Sequence, residues 1–396
     1  MPKILHLGKF FPPFAGGIEN FLADLMPTQM QQRNITVAAL VHAHQQQWSR
    51  FFSTTIAETW NNLTIYRVPT YGRLLYAPIS PLFPVWFNQV LKQFQPQLLH
   101  LHLPNTSAFF ALGLPRAKRL PWIVHWHADV TSTLNSKLSI AYHAYRPLEQ
   151  RLLAHAQAII VTSEPYLASS IPLRPWQAKC QIIPLGIALS RLPEPSKPAQ
   201  QWAEQQWNNP GVKILTVGRL TYYKGHEVLI RAMAQVKNAH LLIVGQGEQQ
   251  RYLQTLITQL NIANQVKLLG YCTATELNAL LATCDCFCLP SLERTEAFGV
   301  VLLEAMRYSK AIVASAISGS GVTWVVVDNH TGLLVPPQNE IALAQALQRL
   351  VDNSSWRISL GKAGQQRCEQ LFDIQTVAEK TALLYQQILT SMRIND

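Results

Sequence analysis

The sequence contains no long uninterrupted apolar run. Nowhere in its 396 residues does a stretch approach the about 18 consecutive apolar residues that a membrane-spanning helix needs. Its first residues, MPKILHLGKFFPPF, lack the apolar core and small-residue cleavage site of a secretory signal peptide. We therefore expect a soluble, cytoplasmic protein.

Charged residues and cysteines are both scarce. Charged residues make up 14% of the chain and apolar residues 48%, which excludes wholesale disorder and is enough for two hydrophobic cores. Among the 6 cysteines, Cys284, Cys286 and Cys288 alternate along a predicted strand. This spacing is poor for zinc, so we interpret them as small buried hydrophobic residues in a protein of a reducing compartment.

Several nucleotide- and metal-binding motifs are absent. The sequence has neither a Walker A loop nor a G-x-G-x-x-G fingerprint, which argues against NTPases and dinucleotide enzymes. It has no Asp-x-Asp pair, since Asp285 is followed by Cys286 and Phe287. The trio His125, His127 and Asp129 is compatible with a metal, but hydrogen-bonded structural histidines are the interpretation we favour.

The positive charge is concentrated in the first half of the chain. Residues 1–196 carry 16 Lys and Arg against 7 Asp and Glu, whereas residues 197–396 carry 17 against 15. A basic half suits an anionic partner, such as a phosphate-bearing acceptor or an anionic membrane surface. The alternative is that the positive charge serves only to keep the protein soluble. The aromatic residues follow no nucleic-acid-binding motif, so we predict no nucleic-acid partner.

Two series of short β-rich runs, separated by helix-length intervals, predict an α/β fold with parallel sheets. The first series covers 3–8, 35–41, 63–68, 98–103, 122–127, 158–163 and 180–186, and the second covers 212–218, 240–245, 265–270, 286–290, 311–315 and 332–337. A stretch rich in Pro, Gln and Asn separates the two. We predict Rossmann-like domains at 1–190 and 212–371, a linker at 191–211 and a C-terminal helix at 372–396 that packs on either half. Ligands of such sheets bind beyond the carboxyl ends of strands, so the expected site is the cleft between the halves.

Two loops at predicted strand ends carry candidate binding residues. Arg219 and Lys224 follow the strand at 212–218 and precede an amphipathic helix, which suits a diphosphate, although they are equally interpretable as two solvated loop cations. Gly16 and Gly17 open a helix after the first strand, where they would let the backbone approach a ligand closely; the alternative is a plain turn. His127 ends a strand and is positioned to face the expected cleft.

The segment FGVVLLEAM predicts a helix with Gly299 in its first turn and Glu304 within it, and Glu296 lies two residues before the segment. On a continuous helix, positions eight apart differ by about 80° around the axis, so both carboxylates would lie on one side. If Glu296 instead precedes the helix, it projects over the N-terminus, where the amides of Phe298 to Val301 are free to hold an anion. The alternative is an acid favoured by the helix dipole and an ordinary surface acid.

The segment EAFGVVLLE, preceded by LPSLERT, resembles the Glu-x(7)-Glu signature of the family-four retaining glycosyltransferases. PPFAGGIENFLADL resembles the glycine loop of that family, HWHAD its histidine-bearing strand end, IIPLGI the end of its first domain, and VGRLTYYKG its phosphate site. These matches occur in the family's order over most of the chain, so the resemblance is specific. GKFFPPFAGGIENF and ISGSGVTWVV most resemble mannosyl- and rhamnosyltransferase-like members that build surface polysaccharides.

The resemblance implies a fold and a role for each matching residue. The fold is α/β of the GT-B type, with two Rossmann-like domains whose parallel sheets face across a cleft. The first domain then binds the acceptor and the second the nucleotide sugar. The resemblance implies four catalytic residues, namely His127, Glu296, Arg219 and Lys224. It implies contacts to the nucleotide sugar from Gly16, Gly17, Arg219, Lys224, Tyr271, Cys272, Phe298, Gly299, Val300, Val301 and Glu304.

The implied activity is retaining, metal-independent transfer of a hexose to a saccharide or lipid-linked acceptor in polysaccharide or glycolipid biosynthesis. No cofactor is expected, and the donor is a nucleotide-diphosphate sugar, with GDP-mannose favoured over a UDP-sugar. Peripheral binding to the inner face of the cytoplasmic membrane is a further expectation. The alternatives are a GT-B sugar-nucleotide epimerase, a phosphorylase, and a non-catalytic sugar-nucleotide-binding protein. The signature argues against the epimerase, and the lack of a cofactor-binding lysine motif argues against the phosphorylase.

Overall fold

The chain is divided into two units. The structure, a computed structural model, describes residues 1–14, 16–33, 35–46, 57–74, 77–130, 136–207 and 210–395. The first unit is Met1–Gly186 together with Ile374–Asp396, and the second is Ile187–Asp373. Among the helices described, none combines the length and the apolar composition needed to cross a membrane.

The first unit is built on an eight-stranded sheet with the order β10-β9-β8-β7-β1-β2-β4-β3. All neighbouring strands are parallel except the β3–β4 hairpin. Its elements are β1 (Lys3–Leu7), α1 (Gly17–Arg33), β2 (Thr36–Gln46), β3 (Ala57–Trp60), β4 (Leu63–Thr70), β5 (Arg73–Leu74), β6 (Ala77–Pro78), α2 (Phe83–Phe94), β7 (Leu98–Leu103), α3 (Pro115–Lys118), β8 (Trp122–Trp126), α4 (Ser136–His155), β9 (Ala158–Val161), α5 (Glu164–Ser169) and β10 (Cys180–Ile182).

The second unit has a six-stranded parallel sheet with the order β13-β12-β11-β14-β15-β16. Its elements are α6 (Lys197–Trp207), β11 (Val212–Val217), α7 (His226–Met233), β12 (Ala239–Val244), α8 (Gln250–Gln259), β13 (Val266–Gly270), α9 (Ala274–Thr283), β14 (Cys286–Leu289), α10 (Val300–Arg307), β15 (Ala311–Ser315), α11 (Val322–Val325), β16 (Gly332–Val335), α12 (Glu340–Asp352) and α13 (Ser354–Leu371). This is the strand order of a doubly wound nucleotide-binding fold.

The strand order of each sheet reverses at one point, and this point determines where a ligand binds. In the second unit the reversal lies between β11 and β14, which pair in parallel. In the first unit it lies between β1 and β7. Loops that leave the carboxyl ends of these strands diverge to opposite faces of the sheet and leave a crevice. The loops after β11 and β14 carry the predicted phosphate and signature residues.

The strands form where the sequence has continuous apolar runs. Strands β7, β8, β9 and β14 are buried at every position, as expected for parallel strands covered on both faces. All thirteen β-rich runs of the two predicted series contain a strand. Cys284, Cys286 and Cys288 are buried, and burial raises the pKa of the Cys284 thiol to about 12, as expected for inert packing residues.

The segment predicted as a linker at 191–211 instead belongs to the second unit. Most of it forms α6, where Ala203 and Trp207 are buried and the Trp207 indole nitrogen donates to Thr283 Oγ1 at 3.2 Å. The Gln-rich composition conceals an amphipathic helix, because its buried positions are few. Asn208 and Asn209, within the same prediction, lie outside the described residues. The chain enters and leaves the unit side by side, since the Ile187 amide donates to Phe372 O at 2.9 Å.

The C-terminal helix α14 (Ile374–Asn395) belongs to the first unit. It packs against α1, where Gln29 Nε2 donates to the Tyr385 hydroxyl at 3.2 Å. That hydroxyl also lies 2.5 Å from His100 Nδ1, so the helix is joined to strand β7 by a buried polar contact. The first unit is therefore built from both ends of the chain.

Strand β3 was not predicted from the sequence. It pairs with β4 through a two-residue turn formed by Asn61 and Asn62, whose φ values are 46° and 66°. Positive φ at both turn positions matches the right-handed twist of a hairpin, and asparagine tolerates it better than most residues. Exposed positions dominate β3, so it lacks the apolar run that revealed the other strands.

Candidate functional site

The centre of the candidate site in the second unit is an ion pair between Lys224 and Glu296. Lys224 Nζ lies 2.5 Å from Glu296 Oε2, and the two side chains are only 14% and 11% exposed. Burial disfavours the ammonium ion, but the Glu296 carboxylate and the nearby Tyr223 hydroxyl outweigh it and hold the pKa of Lys224 above its ordinary value. Lys224 follows β11 and Glu296 follows β14, so the pair lies where the strand order of the sheet reverses.

The loop that carries Lys224 is shaped by two glycines. Gly225 has a φ of 68°, and a Cβ there would lie 2.0 Å from the carbonyl oxygen of Pro290. At Gly218, a Cβ would lie 3.3 Å from Cδ of Lys224, so the lysine stem extends over the bare backbone at the end of β11. Glycine is required at 225 both by the left-handed conformation and by the close approach of the two loops.

Glu296 is held in place by two serines that sequence reasoning did not single out. Ser291 Oγ donates to Glu296 Oε2 at 2.8 Å, and Ser320 Oγ donates to the Glu296 carbonyl oxygen. Both serines are fully buried. They follow the carboxyl ends of β14 and β15, the positions where polar side chains of such sheets face ligands, and this signal could have identified them.

Helix α10 begins two residues later than predicted, at Val300 and not at Phe298. Gly299 was expected in the first turn, but it caps the helix with a φ of 80°, and Val300 is the first helical residue. A Cβ on Gly299 would lie 2.9 Å from Cδ1 of Leu302, so the left-handed turn keeps the approach to the helix tight. Glu296 therefore precedes the helix, the second of the two arrangements considered. The amide groups of Val300 and Val301 lie in the first turn, where an α-helix has no acceptors of its own and binds anions.

Glu304 also has a cationic partner, which the sequence did not reveal. Its Oε1 lies 3.2 Å from Nη1 of Arg191, and the two side chains are 10% and 29% exposed. Arg191 lies within the predicted linker at 191–211, and no sequence periodicity links it to Glu304. The arginine is brought to α10 because the segment before α6 folds onto the second unit.

A double-mutant cycle on Arg191 and Glu304 should give a coupling energy of about 1 kcal/mol, because both groups are partly shielded from water. The variants are Arg191→Met, Glu304→Gln and the double substitution, and the measurement is chemical unfolding. The control is Arg231 with Glu227, an i,i+4 pair at 3.0 Å whose side chains are 40% and 34% exposed. Its coupling should be about 0.3–0.5 kcal/mol. Equal coupling in the two pairs would show that the Arg191–Glu304 pair is an ordinary surface contact.

The remaining predicted residues of the second unit surround this centre to different extents. Arg219 is exposed, and its Nη2 donates to the Tyr223 hydroxyl at 3.3 Å, which holds it on the Lys224 loop. Phe298 is buried, with its ring against Trp324. Tyr271 is exposed at the end of β13, and burial of the adjacent Cys272 raises its thiol pKa to about 11. Arg219, Lys224 and Glu296 thus lie near one another, with Arg219 joined to the Lys224 loop through Tyr223.

In the first unit, the glycine loop and His127 lie after β1 and β8. Gly17 is the first residue of α1, and Gly16 accepts a hydrogen bond from the Asn20 amide at 3.0 Å, so the two glycines open a helix as predicted. A Cβ on Gly16 would lie 2.2 Å from Oε2 of Glu19, which is buried in the first turn. The bare backbone at Gly16 therefore makes room for an acidic side chain.

His127 is buried immediately after β8. Its amide donates to Leu103 O at 3.0 Å, and its Nε2 lies 2.9 Å from Nδ1 of His102. Its ring stacks on His125 with centroids 4.2 Å apart. Burial lowers the pKa of His127 to about 3, so the ring is neutral at physiological pH. His127 is thus hydrogen-bonded through its amide and Nε2, whereas both ring nitrogens of His125 are buried without a hydrogen-bond partner among the described residues. Asp129 accepts hydrogen bonds from Trp126 and Ser170.

The buried histidines should make the first unit acid-labile. Burial lowers the pKa of His6 and His127 to about 3, and it also lowers those of His100, His102 and His125. An unfolded histidine titrates near 6.5, so the unfolded chain binds more protons below that pH, and stability falls as pH decreases toward 3. Each histidine that stays neutral contributes a slope of about 1.4 kcal/mol per pH unit.

We expect the first unit to unfold between about pH 6 and 4. Over two pH units, the stability lost through several such histidines together becomes comparable to a typical free energy of unfolding of about 5–15 kcal/mol. Hydrogen exchange resolved by peptide across a pH series measures this for each unit separately. His125→Phe removes one buried imidazole and should shift the midpoint to lower pH. A first unit as acid-resistant as the second would contradict the prediction.

Comparisons with known proteins identify the chain. Residues 16–186 match the family described as glycosyl transferase 4-like domain, and residues 199–367 match glycosyl transferases group 1. The chain is 31% identical to the D-rhamnosyltransferase WbpZ of Pseudomonas aeruginosa over 292 residues, which cover 72% of this chain and 73% of that protein. The chain is a family-four glycosyltransferase of the GT-B type.

Other relatives of this glycosyltransferase agree. It is 25% identical to O-antigen chain mannosyltransferase C of Escherichia coli over 390 residues, covering 98% of this chain and 99% of that one. Its structure matches that of sucrose-phosphate synthase from Thermosynechococcus elongatus with a TM-score of 0.81 at 25% identity, over 99% and 100% of the two chains. The predicted family and the GT-B fold with two parallel sheets are confirmed.

Proposed function

We propose that this glycosyltransferase transfers a hexose, with retention of anomeric configuration and without a metal ion, from a nucleotide-diphosphate sugar to a saccharide or lipid-linked acceptor in polysaccharide or glycolipid biosynthesis. The observation that carries the proposal is the shielded Lys224–Glu296 pair, placed where the sheet order reverses and ahead of the N-terminus of α10. A cation beside a carboxylate suits a ligand that is a diphosphate at one end and a polyol at the other.

The diphosphate has three groups to bind it in the second unit. Lys224 and Arg219 supply positive charge, and the free amides at the start of α10 supply hydrogen bonds. Charge builds up on the diphosphate as the sugar leaves, so fixed cations stabilise the transition state more than the ground state. Two fixed cations provide the charge that a metal ion supplies elsewhere, which is why we propose metal independence.

The sugar and nucleoside have separate contacts in this proposal. Glu296 accepts hydrogen bonds from sugar hydroxyls while Ser291 keeps its carboxylate oriented. Glu304 accepts hydrogen bonds from the ribose hydroxyls, and the ion pair with Arg191 keeps that carboxylate oriented. Tyr271 and Cys272 contact the base through their backbone. His127 acts on the donor sugar, and Gly16 and Gly17 belong to the proposed acceptor and phosphate contacts of the first unit.

The donor we favour is GDP-mannose, followed by a UDP-sugar. The relatives named as a mannosyltransferase and a D-rhamnosyltransferase support a donor of this kind, since both move a hexose or deoxyhexose. The basic first half supports an anionic or lipid-linked acceptor. Salt-sensitive binding to anionic vesicles is the expected result for a lipid-linked acceptor, and indifference to vesicles would contradict that part of the proposal.

Product analysis tests the reaction class. The protein is incubated with GDP-mannose and with UDP-sugars in EDTA, with a lipid extract or oligosaccharides as acceptor, and the products are separated and their anomeric configuration read by NMR. We expect a nucleoside diphosphate and a transferred sugar with the configuration of the donor. An inverted product, or activity that EDTA abolishes and Mg²⁺ restores, would contradict retention or metal independence. An epimerised donor or a sugar phosphate would identify the alternative enzymes.

A further inference from the structure

Five buried histidines of the described residues lie on one face of the first unit's sheet. His6 on β1 pairs in register with His100 on β7, and His102 on β7 pairs with His125 on β8. His127 lies two residues beyond His125 and therefore on the same face. All five are at most 3% exposed. Their rings stack along and across the strands, since the centroids of His100 and His102 on β7 are 4.4 Å apart and those of His100 and His125 on neighbouring strands are 5.3 Å apart.

Three of these histidines are hydrogen-bonded in series, and we refer to them as the histidine chain. His6 Nδ1 lies 3.1 Å from His102 Nε2, and His102 Nδ1 lies 2.9 Å from His127 Nε2. His102 uses both of its ring nitrogens within the chain. The outer nitrogens, His6 Nε2 and His127 Nδ1, are buried and have no hydrogen-bond partner within the part of the chain that the structure describes.

The protons of the histidine chain are coupled. Burial lowers the pKa of every member well below its ordinary value, so each ring is neutral and carries one N–H. A neutral imidazole donates from one nitrogen and accepts at the other. The proton position on His6 therefore fixes that on His102, which fixes that on His127. The chain has two arrangements, with the unbonded N–H either on His6 Nε2 or on His127 Nδ1.

The environment of His6 distinguishes between the two arrangements. Gln29 Nε2 donates to the Tyr385 hydroxyl at 3.2 Å, so the group that Gln29 offers to His6 is its carbonyl oxygen. Burial lowers the pKa of His6, and the Gln29 side chain acts in the opposite direction, as a nearby acceptor does. Among the described residues, Gln29 Oε1 and His6 Nε2 are both buried and neither has a partner at hydrogen-bond distance, so this oxygen is an acceptor still available to an N–H at Nε2. An acceptor beside His6 favours an N–H at His6 Nε2.

We propose that His6 and His102 are positioning residues that hold His127 in the Nε2–H tautomer. His6 keeps its proton on Nε2, His102 donates from Nε2 to His6 Nδ1, and His127 donates from Nε2 to His102 Nδ1. His127 Nδ1 is then a lone pair that accepts a hydrogen bond from a hydroxyl group. This inference rests on the proposed function in one respect, the role of His127 toward the hydroxyl groups of the donor sugar.

The contacts favour hydrogen bonds over a metal ion in this cluster. Two groups, His6 with His100 and His102, and His102 with His125 and His127, offer nitrogens within 4.8 Å of one another. Zinc would lie about 2.0–2.1 Å from each nitrogen with the lone pairs converging on it. In the histidine chain the nitrogens instead face each other at hydrogen-bond distance, and both proposed metal groups require His102, which has no free nitrogen.

The tautomer can be measured by ¹⁵N NMR of protein labelled at histidine, because a protonated and an unprotonated ring nitrogen have very different shifts. In the wild type we expect His127 Nε2 to carry the proton in a single tautomer. In His6→Leu, His102 Nε2 no longer has an acceptor. Both proton arrangements then leave one N–H without a partner, so neither is favoured. His127 should therefore populate both tautomers. His6→Asn places an amide oxygen near the position of Nδ1 and should restore the single tautomer.

His125→Phe is the matched control, since it retains stacking on His127 but has no place in the histidine chain. It should leave the His127 tautomer unchanged. A His127 tautomer that is the same in His6→Leu as in the wild type would overturn the proposal, as would a wild type with the proton on Nδ1. Stoichiometric zinc or copper in the purified protein, with metal-shifted nitrogen signals, would overturn it in favour of a metal site.

Turnover separates this inference from the proposed function. We expect kcat for sugar transfer to fall about tenfold or more in His6→Leu and to recover in His6→Asn, as when a partner that orients a functional histidine is lost. If the wild type transfers no sugar but the NMR results are as expected, the proposed function is wrong and the tautomer coupling stands. If transfer is normal and kcat is the same in His6→Leu, the positioning role is wrong.

Discussion

Replacement of Lys224 by methionine should lower kcat/KM for the donor by about 100- to 1,000-fold, the usual effect of removing one fixed group that stabilises developing charge. The same substitution should lower the free energy of unfolding by about 3 kcal/mol, because the Glu296 carboxylate is left shielded and without its cation. The second effect follows from geometry, since both side chains are less than 15% exposed and 2.5 Å apart. Transfer assays and denaturant unfolding measure the two effects.

Lys213 provides a matched control for this experiment. It also forms a 2.5 Å pair in the second unit, with Glu204, but the two side chains are 24% and 52% exposed. Lys213→Met should cost about 0.5 kcal/mol or less and leave turnover unchanged. The double variant Lys224→Met with Glu296→Gln should regain stability without regaining activity, because the unpaired charge is gone but the phosphate contact is still missing. Equal effects of Lys213→Met and Lys224→Met would mean that burial at the site has no energetic role.

Replacement of Gly225 by alanine should be strongly damaging to both stability and turnover. The new Cβ would lie 2.0 Å from Pro290 O and 2.8 Å from Cδ2 of Leu292, so the loops after β11 and β14 must separate. We expect a loss of about 2–4 kcal/mol in the free energy of unfolding, from the left-handed conformation and the overpacking together. Displacement of the adjacent Lys224 by about 1 Å should also reduce turnover about 100-fold.

Gly270 separates these two contributions to stability. Its φ is 74°, close to the 68° of Gly225, yet an added Cβ has nothing within 4 Å. Gly270→Ala should therefore cost only about 1 kcal/mol, the conformational part alone. Denaturant unfolding of both variants gives the comparison. If Gly225→Ala is no worse than Gly270→Ala, the loops have room to separate and the tight approach is not what fixes Lys224.

The sequence predicted those parts of the fold that depend on local pattern. Continuous apolar runs located every strand of the two large sheets except β3, and they also missed β5 and β6, which form a separate two-stranded sheet, because these three strands lack such runs. Helix α6 was missed for a similar reason, since few of its residues are buried. The resemblance implied that Lys224 and Glu296 both contact the nucleotide sugar, and the sheet order explains why their loops meet, since both follow strands at its reversal.

The contacts that position the site residues could not be predicted in the same way. Arg191 reaches Glu304 across 113 positions of sequence, and Ser320 reaches Glu296 across 24. No periodicity encodes such pairs, because they depend on how segments between the strands fold back. The contacts among the five buried histidines could be predicted only in part. His100, His102, His125 and His127 alternate visibly within two strands, but their contacts with each other and with His6 require the lateral order β1-β7-β8.

In the proposed function, the second unit binds a nucleoside diphosphate at Lys224. Isothermal titration of GDP, UDP, ADP and dTDP into the wild type and into Lys224→Met tests it most directly, because binding requires neither the acceptor nor the sugar to be known. We predict that one nucleoside diphosphate binds the wild type at one site per chain, with GDP favoured, and that Lys224→Met weakens it by at least about tenfold, or 1.4 kcal/mol. If none of the four binds, or if the variant binds as tightly as the wild type, the Lys224–Glu296 pair is not the diphosphate site.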